Sequence, residues 1–378
     1  MKFAKLSIAA IIAMGTSAFA ADTLADAFKN GKINGAIQAY YWDRDNGTTD
    51  ADIMNFGLDL SYETARFYGF AFKGTFQSSA SPFADDDAKT IYNSDMWGSG
   101  AQLSEAYVSY VNGKTTAKVG RIYFATPLIY GSGSRMNRES FEGALLTNSD
   151  LSDTTITFGY VQKMQTRTDG TGDFGNFSKT FAWQGDVNDG AYTLLIENSS
   201  IQNVNLTLAY LNAIDLMKVG YAEAVYKQDM FGLGAQYYYS EREAANDTNL
   251  VGVKADMTYG KVNVMVAYTK ADDANYVYAG LGNGADYAYT SSPILSDSYV
   301  ANTEAYKVGV SYAITDAASV GANYIVTDDK TKEYSYTSVT ANYKFSGALK
   351  GVSADLLYDK QGKDGDANEL RFNVTYAF

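Results

Sequence analysis

Apolar and polar side chains alternate one for one along most of this chain, the two-residue period of a β-strand with one dry and one wet face. From Met54 to Tyr62, Met54, Phe56, Leu58, Leu60 and Tyr62 oppose Asn55, Gly57, Asp59 and Ser61. Val251, Val253, Ala255, Met257 and Tyr259 oppose Gly252, Lys254, Asp256 and Thr258. The last run sets Leu370, Phe372, Val374, Tyr376 and Phe378 against Glu369, Arg371, Asn373, Thr375 and Ala377. The apolar sets repeatedly finish in Tyr or Phe, where an aromatic girdle meets the membrane interface. A soluble sandwich would bury such rings mid-strand. The pattern predicts an all-β fold, a transmembrane antiparallel β-barrel with a wet interior.

Nineteen β-like runs are visible. Single-chain bacterial barrels have even strand numbers, so the weakest run, Thr180 to Gly185, is assigned to an external loop. Eighteen strands remain, over 32–42, 52–62, 67–77, 101–111, 115–124, 139–148, 154–164, 191–198, 203–211, 219–227, 230–240, 248–258, 261–270, 303–313, 318–327, 335–345, 351–360 and 368–378. Short turns such as Glu63-Thr64-Ala65, Asn112-Gly113-Lys114, Tyr259-Gly260-Lys261 and Thr315-Asp316-Ala317 alternate with long connections at 77–101, 125–139, 165–190 and 271–302. Short periplasmic turns and long external loops are the second mark of this architecture.

The front end sets the compartment. A basic start (Lys2, Lys5), an apolar run from Leu6 to Ala13 and the Ala18-Phe19-Ala20 cleavage pattern read as a signal peptide over 1–20, leaving 21–378 as one barrel domain in the bacterial outer membrane. Without Lys2 and Lys5, 28 Lys and Arg face 43 Asp and Glu, a formal charge of −15. That balance excludes nucleic acid as a partner. No Cys and no His are present, which removes disulfides, thiolate or imidazole metal sites and every catalytic triad built on histidine. No carboxylate pair stands out as an acid–base couple, so the chain reads as a non-enzyme with no cofactor and no metal. Mean hydropathy is −0.23, a value open to a membrane protein only if half of each spanning segment faces water.

A barrel of 16 to 18 strands leaves an aqueous channel unless something fills it. Ala21 to Gly31 is too short for a plug and is expected to form one or two helical turns. One external loop is expected to fold into the lumen and narrow it: the segment 125–139, apolar at Pro127, Leu128, Ile129 and Tyr130 and charged further on. Arg121, Tyr130, Arg135, Arg138, Glu139 and Glu142 are the candidate constriction and selectivity residues. By pleat alternation Lys73, Arg121, Lys254, Lys307, Lys344 and Arg371 are the inward cations, with Asp59, Asp256, Asp355 and Glu369 on the same wall.

The stretch GRIYFATPLIYGSGSRMNRESFEGALL resembles the third-loop signature of OprD-like outer-membrane porins. LADAFKNGKINGAIQAYYWDRDN, YTLLIENSSIQNVNLTLAYL and YDKQGKDGDANELRFNVTYAF are similar to other parts of that family. The resemblance implies an eighteen-stranded monomeric barrel narrowed by the third loop, in which inward Arg and Lys guide carboxylate-bearing solutes. It matches Arg135 to the loop arginine and Arg121 to the strand-end residue. Gly133 stands where many members have Asp, and the mixed wall charge leaves the solute open.

The reading is therefore a porin for passive diffusion of ions and small hydrophilic solutes, with outer-membrane lipid and lipopolysaccharide around it. A homotrimer stays open beside the monomer. The alternative is an adhesin or structural surface barrel with a blocked lumen. Acidic runs at Asp85-Asp86-Asp87, Asp272-Asp273, Asp328-Asp329 and Asp364-Gly365-Asp366 lack an EF-hand spacing and read as solvated loops.

Overall fold

The computed structural model describes residues 21–181, 184–242, 246–295 and 298–378. The expected signal peptide, 1–20, lies outside the described residues. The strands are β1 (Lys32–Asp45), β2 (Asp50–Glu63), β3 (Phe70–Ala80), β4 (Gly100–Asn112), β5 (Thr115–Ile122), β6 (Ser140–Asn148), β7 (Thr154–Gln165), β8 (Phe177–Ser178) and β9 (Ala191–Asn198). They continue as β10 (Val204–Ala213), β11 (Met217–Gln228), β12 (Phe231–Arg242), β13 (Thr248–Tyr259), β14 (Val262–Ala271), β15 (Glu304–Ala313), β16 (Ala318–Asp328), β17 (Glu333–Lys344), β18 (Val352–Lys363) and β19 (Asn368–Ala377).

Each long strand pairs antiparallel with its sequence neighbour, and β19 returns to β1 from Ala36↔Ala377 to Asp45↔Asn368. The sheet closes without an edge, the condition for holding strands in lipid. β8 is a two-residue graft on the end of β7, which pairs directly with β9. The closed ring of described residues therefore has eighteen strands. Of the segment Thr180 to Gly185, Ala182 and Trp183 lie outside the described residues; the remainder makes one bridge, Thr180↔Asp186, and no barrel strand.

Alternation sets the two faces. Ile33, Ile37, Phe56, Leu60, Val253, Val264, Val308, Phe372 and Tyr376 stand exposed on the outside, with Gln38, Asn55, Thr269, Ser338 and Asp359 buried toward the inside. One strand departs from expectation. The third begins at Phe70, not residue 67, because Tyr68 and Gly69 adopt positive φ (49° and 85°) and turn the chain there. The turn after Glu63 is accordingly longer than Glu63-Thr64-Ala65, and Phe67 and Phe70 close it with mutual backbone bonds of 2.8 and 3.0 Å.

Helix α1 (Leu24–Lys29) is N-capped by Thr23, whose hydroxyl oxygen accepts from the Asp26 N–H. Its Ala27 carbonyl accepts from the Ala65 N–H at 2.9 Å, which ties it to the short-turn end beside β2 rather than in the lumen. Helix α2 (Asp86–Ile91), in the 81–99 loop, is capped by Asp85. The acidic runs serve loop geometry: Asp272 accepts from Thr248 and Asn249, and Asp329 from Thr331 and Lys332.

Candidate channel constriction

Four long connections rise from one end of the barrel and pack on inward wall residues, and two of them pair with each other. In the 123–139 loop, Phe124, Leu128 and Ile129 are buried against Phe141, Val161 and Leu281 in one apolar cluster. The 272–303 loop meets it. Ile129 and Leu281 form a parallel bridge, with Tyr130 N–H donating to Leu281 O at 3.0 Å and Leu281 N–H to Leu128 O at 2.9 Å. Three residues on, Gly284 N–H donates to Tyr130 O at 2.9 Å. Expectation gave one inward loop; a second is zipped to it backbone to backbone.

Side chains lining the wall hold the second loop. Tyr289 donates its hydroxyl to Glu223 of β11 at 2.7 Å, and its N–H to Gln236 of β12 at 2.8 Å. Thr290 shares a hydroxyl bond with Thr269 of β14 at 2.5 Å. Lys307 of β15 donates to Ser291 O at 2.6 Å, and Leu295 N–H donates to Asp359 of β18 at 3.2 Å. The loop thus spans the lumen from β11 to β18. Asp286 within it accepts from Ser291 at 2.8 Å.

The charges of the 125–139 segment go to different places. Arg135 stacks its guanidinium on the Trp42 indole, 4.6 Å from the ring centroid, and donates Nε to Asp95 Oδ1 at 3.2 Å. Asp95, from the 81–99 loop, also accepts from Arg167 at 2.9 Å and Arg44 at 3.1 Å. Burial alone would raise that carboxyl; Arg135, Arg167 and Arg44 outweigh it and hold it well below the carboxylate range. Arg44 also donates to Glu369 at 2.6 Å. Arg371, bonded to Glu369, covers Trp42 at 4.0 Å. Trp42 itself donates to Asn373 at 3.0 Å. One cluster thus joins three loops to the β1–β19 seam.

Glu139 is 0 % exposed. Its carboxylate accepts from the backbone N–H groups of Ser132 (3.2 Å) and Asn283 (3.0 Å) and from the Asn283 side-chain amide, with Arg167 Nε 3.9 Å away. It clasps loops together and presents no charge to water. Arg138 lies over the Tyr123 ring at 4.3 Å, and its backbone N–H donates to Gln77 of β3 at 2.8 Å. Tyr130 stacks on Tyr287 with centroids 6.4 Å apart.

Two expected constriction residues stand elsewhere. In register, Arg121 faces Ala106 and Glu142, on the same side as Val119, which is 63 % exposed, and Leu146. Arg121 and Glu142 are therefore on the outer wall. The cation of β5 that turns inward is Lys118, 5.1 Å from the Tyr107 ring. Of the other wall cations, Lys73 pairs with Glu105 at 2.8 Å, and Lys254 with Glu223 at 3.7 Å and the Tyr289 ring at 4.1 Å. Lys344 shares the inward parity of Ser338 at the exposed short-turn end.

Sequence reasoning passed over Trp42, Arg44, Asp95, Arg167 and the whole 272–303 loop. The loop had a usable signal: Tyr276, Val277, Tyr278, Ala279 and Leu281 are as apolar for an external connection as Pro127 to Tyr130. The Asp95 cluster had none, since its members come from five distant segments.

Residues 56–378 match the family model described as outer membrane porin, OprD family. The chain belongs to that family. The outer-membrane location and the non-enzymatic, channel-forming class follow from membership. Acinetobacter baumannii OccAB1 superposes with a TM-score of 0.82 at 16% identity, covering 93% of this chain and 97% of that one. Acinetobacter baumannii OccAB2 gives 0.81 at 17% identity, with 93% and 99% covered. Pseudomonas aeruginosa OpdK, solved with vanillate, gives 0.78 at 13% identity, with 93% and 99% covered. No curated protein sequence matches the chain.

Proposed function

We propose that this porin passes ions and small hydrophilic solutes by passive diffusion through a lumen narrowed jointly by 125–139 and 272–303. The observation that carries the reading is the backbone ladder between Leu128–Tyr130 and Leu281–Gly284, hung from the wall side chains of β11 to β18. Export through cleavage of 1–20, with the long loops facing outward, belongs to the same reading.

The solute class we infer is anionic. Arg44, Arg135, Arg167 and Arg371 outnumber Asp95, Glu139 and Glu369 by one. Vanillate, held by the relative OpdK, is a carboxylate, which such guanidinium groups suit. Purified protein in a planar bilayer under a salt gradient tests both parts. The expected result is a stable open level with a reversal potential of anion-preferring sign. A silent bilayer would overturn the channel reading; a cation-preferring sign would overturn the solute class.

A further inference from the structure

The outer wall carries a charge cluster with no part in the channel. Arg121 (β5), Glu142 (β6) and Lys163 (β7) stand side by side in register. Glu142 bridges the two cations, with Oε1 3.2 Å from Arg121 Nε and Oε2 3.1 Å from Lys163 Nζ. Arg121 is held further by donation from Nη1 to Leu103 O at 3.1 Å and by the Phe177 ring, 4.2 Å from Cζ. One residue pair nearer the short-turn end lies Tyr160, its ring 5.0 Å from that of Tyr192. The cluster therefore begins where the apolar and aromatic belt stops on the long-loop side.

Lys163 reaches this face through a bulge. Tyr160 faces outward opposite Ala144, so uninterrupted alternation would send residue 163 into the lumen. The register shifts between Glu142 and Gly143, Gln162 is the extra residue, and Lys163 returns to the outside opposite Glu142. Several other cations of the outer rim are cancelled, whereas Lys360, exposed opposite Asn368, stands singly and not beside a second cation. Lys218 pairs with Glu241 and Lys363 with Glu333, while Glu304, shared by Lys270 and Lys330, stands opposite Asp328. Arg121 and Lys163 share one carboxylate, leaving a net positive charge with a guanidinium edge and ammonium N–H groups turned to the membrane interface.

We propose that Arg121 and Lys163 hold a phosphate group of an anionic glycolipid headgroup of the outer leaflet. A phosphate monoester supplies the charge and the acceptor oxygens the pair lacks. The lipid's acyl chains would lie along Val119, Leu146 and Phe158, all exposed below it.

The test is native mass spectrometry of the detergent-solubilised full barrel with bis-phosphorylated lipid A as probe. The wild type should retain one lipid A. R121A/K163A should lower the bound fraction about tenfold or more. K163A alone, at a part-exposed position that leaves the fold intact, should lower it several-fold; heat-modifiable gel migration reports folding of each variant. Lys218→Ala should bind as the wild type does. Equal binding by folded R121A/K163A, equal retention of dephosphorylated lipid A, or displacement by inorganic phosphate at matching concentration would each overturn the site. Conductance is read separately, so a failed lipid site leaves the channel reading standing, and the converse.

Discussion

Asn283 gives both its backbone N–H and its side-chain amide to the carboxylate of Glu139, 144 positions earlier in the chain. The two residues come from the two loops that pair with each other, and Ser132 N–H shares the same carboxylate. Glu139→Ala would strand the buried Ser132 N–H and release the exposed Asn283 from its partner, at a cost of about 1–3 kcal/mol. Single-channel recordings should then show a larger and noisier conductance, while the strands of the barrel remain intact by circular dichroism. Unchanged conductance would mean that the two loops do not narrow the path.

Asp95 is the second fastening, and its titration has a defined sign. Arg135, Arg167 and Arg44 overcome burial and hold the folded-state carboxyl below its unfolded value of about 3.9. A depressed carboxylate contributes stability that is fully present above the unfolded value and lost as pH falls through the folded one. The loops should therefore stay protease-resistant at pH 5 and above, and loosen only under stronger acid, below about 3.9. Asp95→Asn should loosen them at neutral pH and abolish the acid dependence. Limited proteolysis across pH reads both.

Arg135 and Arg121 make a matched pair of charge reversals. Arg135 lies on the lumen side between Asp95 and Trp42, and Arg121 on the outer wall. Arg135→Glu should move the reversal potential toward cation preference under a salt gradient. Arg121→Glu should leave it unchanged. The opposite outcome would invert the assignment of faces in β5.

Gly280 crosses the carbonyl of Leu128 with φ at +141°, and a Cβ there would come within 2.3 Å of that oxygen. Gly280→Ala is strained in backbone and blocked in space, so the ladder from Leu128 to Leu281 should part. The expected signature is a wider pore, read as faster liposome swelling by neutral sugars. Lengthening exclusion to smaller sugars would contradict it.

Much of this architecture was legible in the residues because lipid imposes a rule on every strand. Val119, Val253 and Phe372 had to be apolar, and their neighbours in the pleat were free to be wet. The same rule was misapplied at Arg121, where the Gly-Arg strand end resembles a pore motif although parity with Val119 turns the side chain outward. At Lys163 no parity argument would have served, since the bulge at Gln162 reverses it.

Strand number, the two faces, the long-loop end and an inward third loop follow from short-range pattern, because alternation and turn length are local properties. The meeting of Glu139 with Asn283, of Asp95 with three arginines, and of Trp42 with Arg135 and Arg371 was decided only when the sheet closed. Closure brings β19 beside β1 and forces every long loop over one opening, where residues hundreds of positions apart compete for the same buried space. No periodicity in the chain encodes that proximity; it is a property of the cylinder.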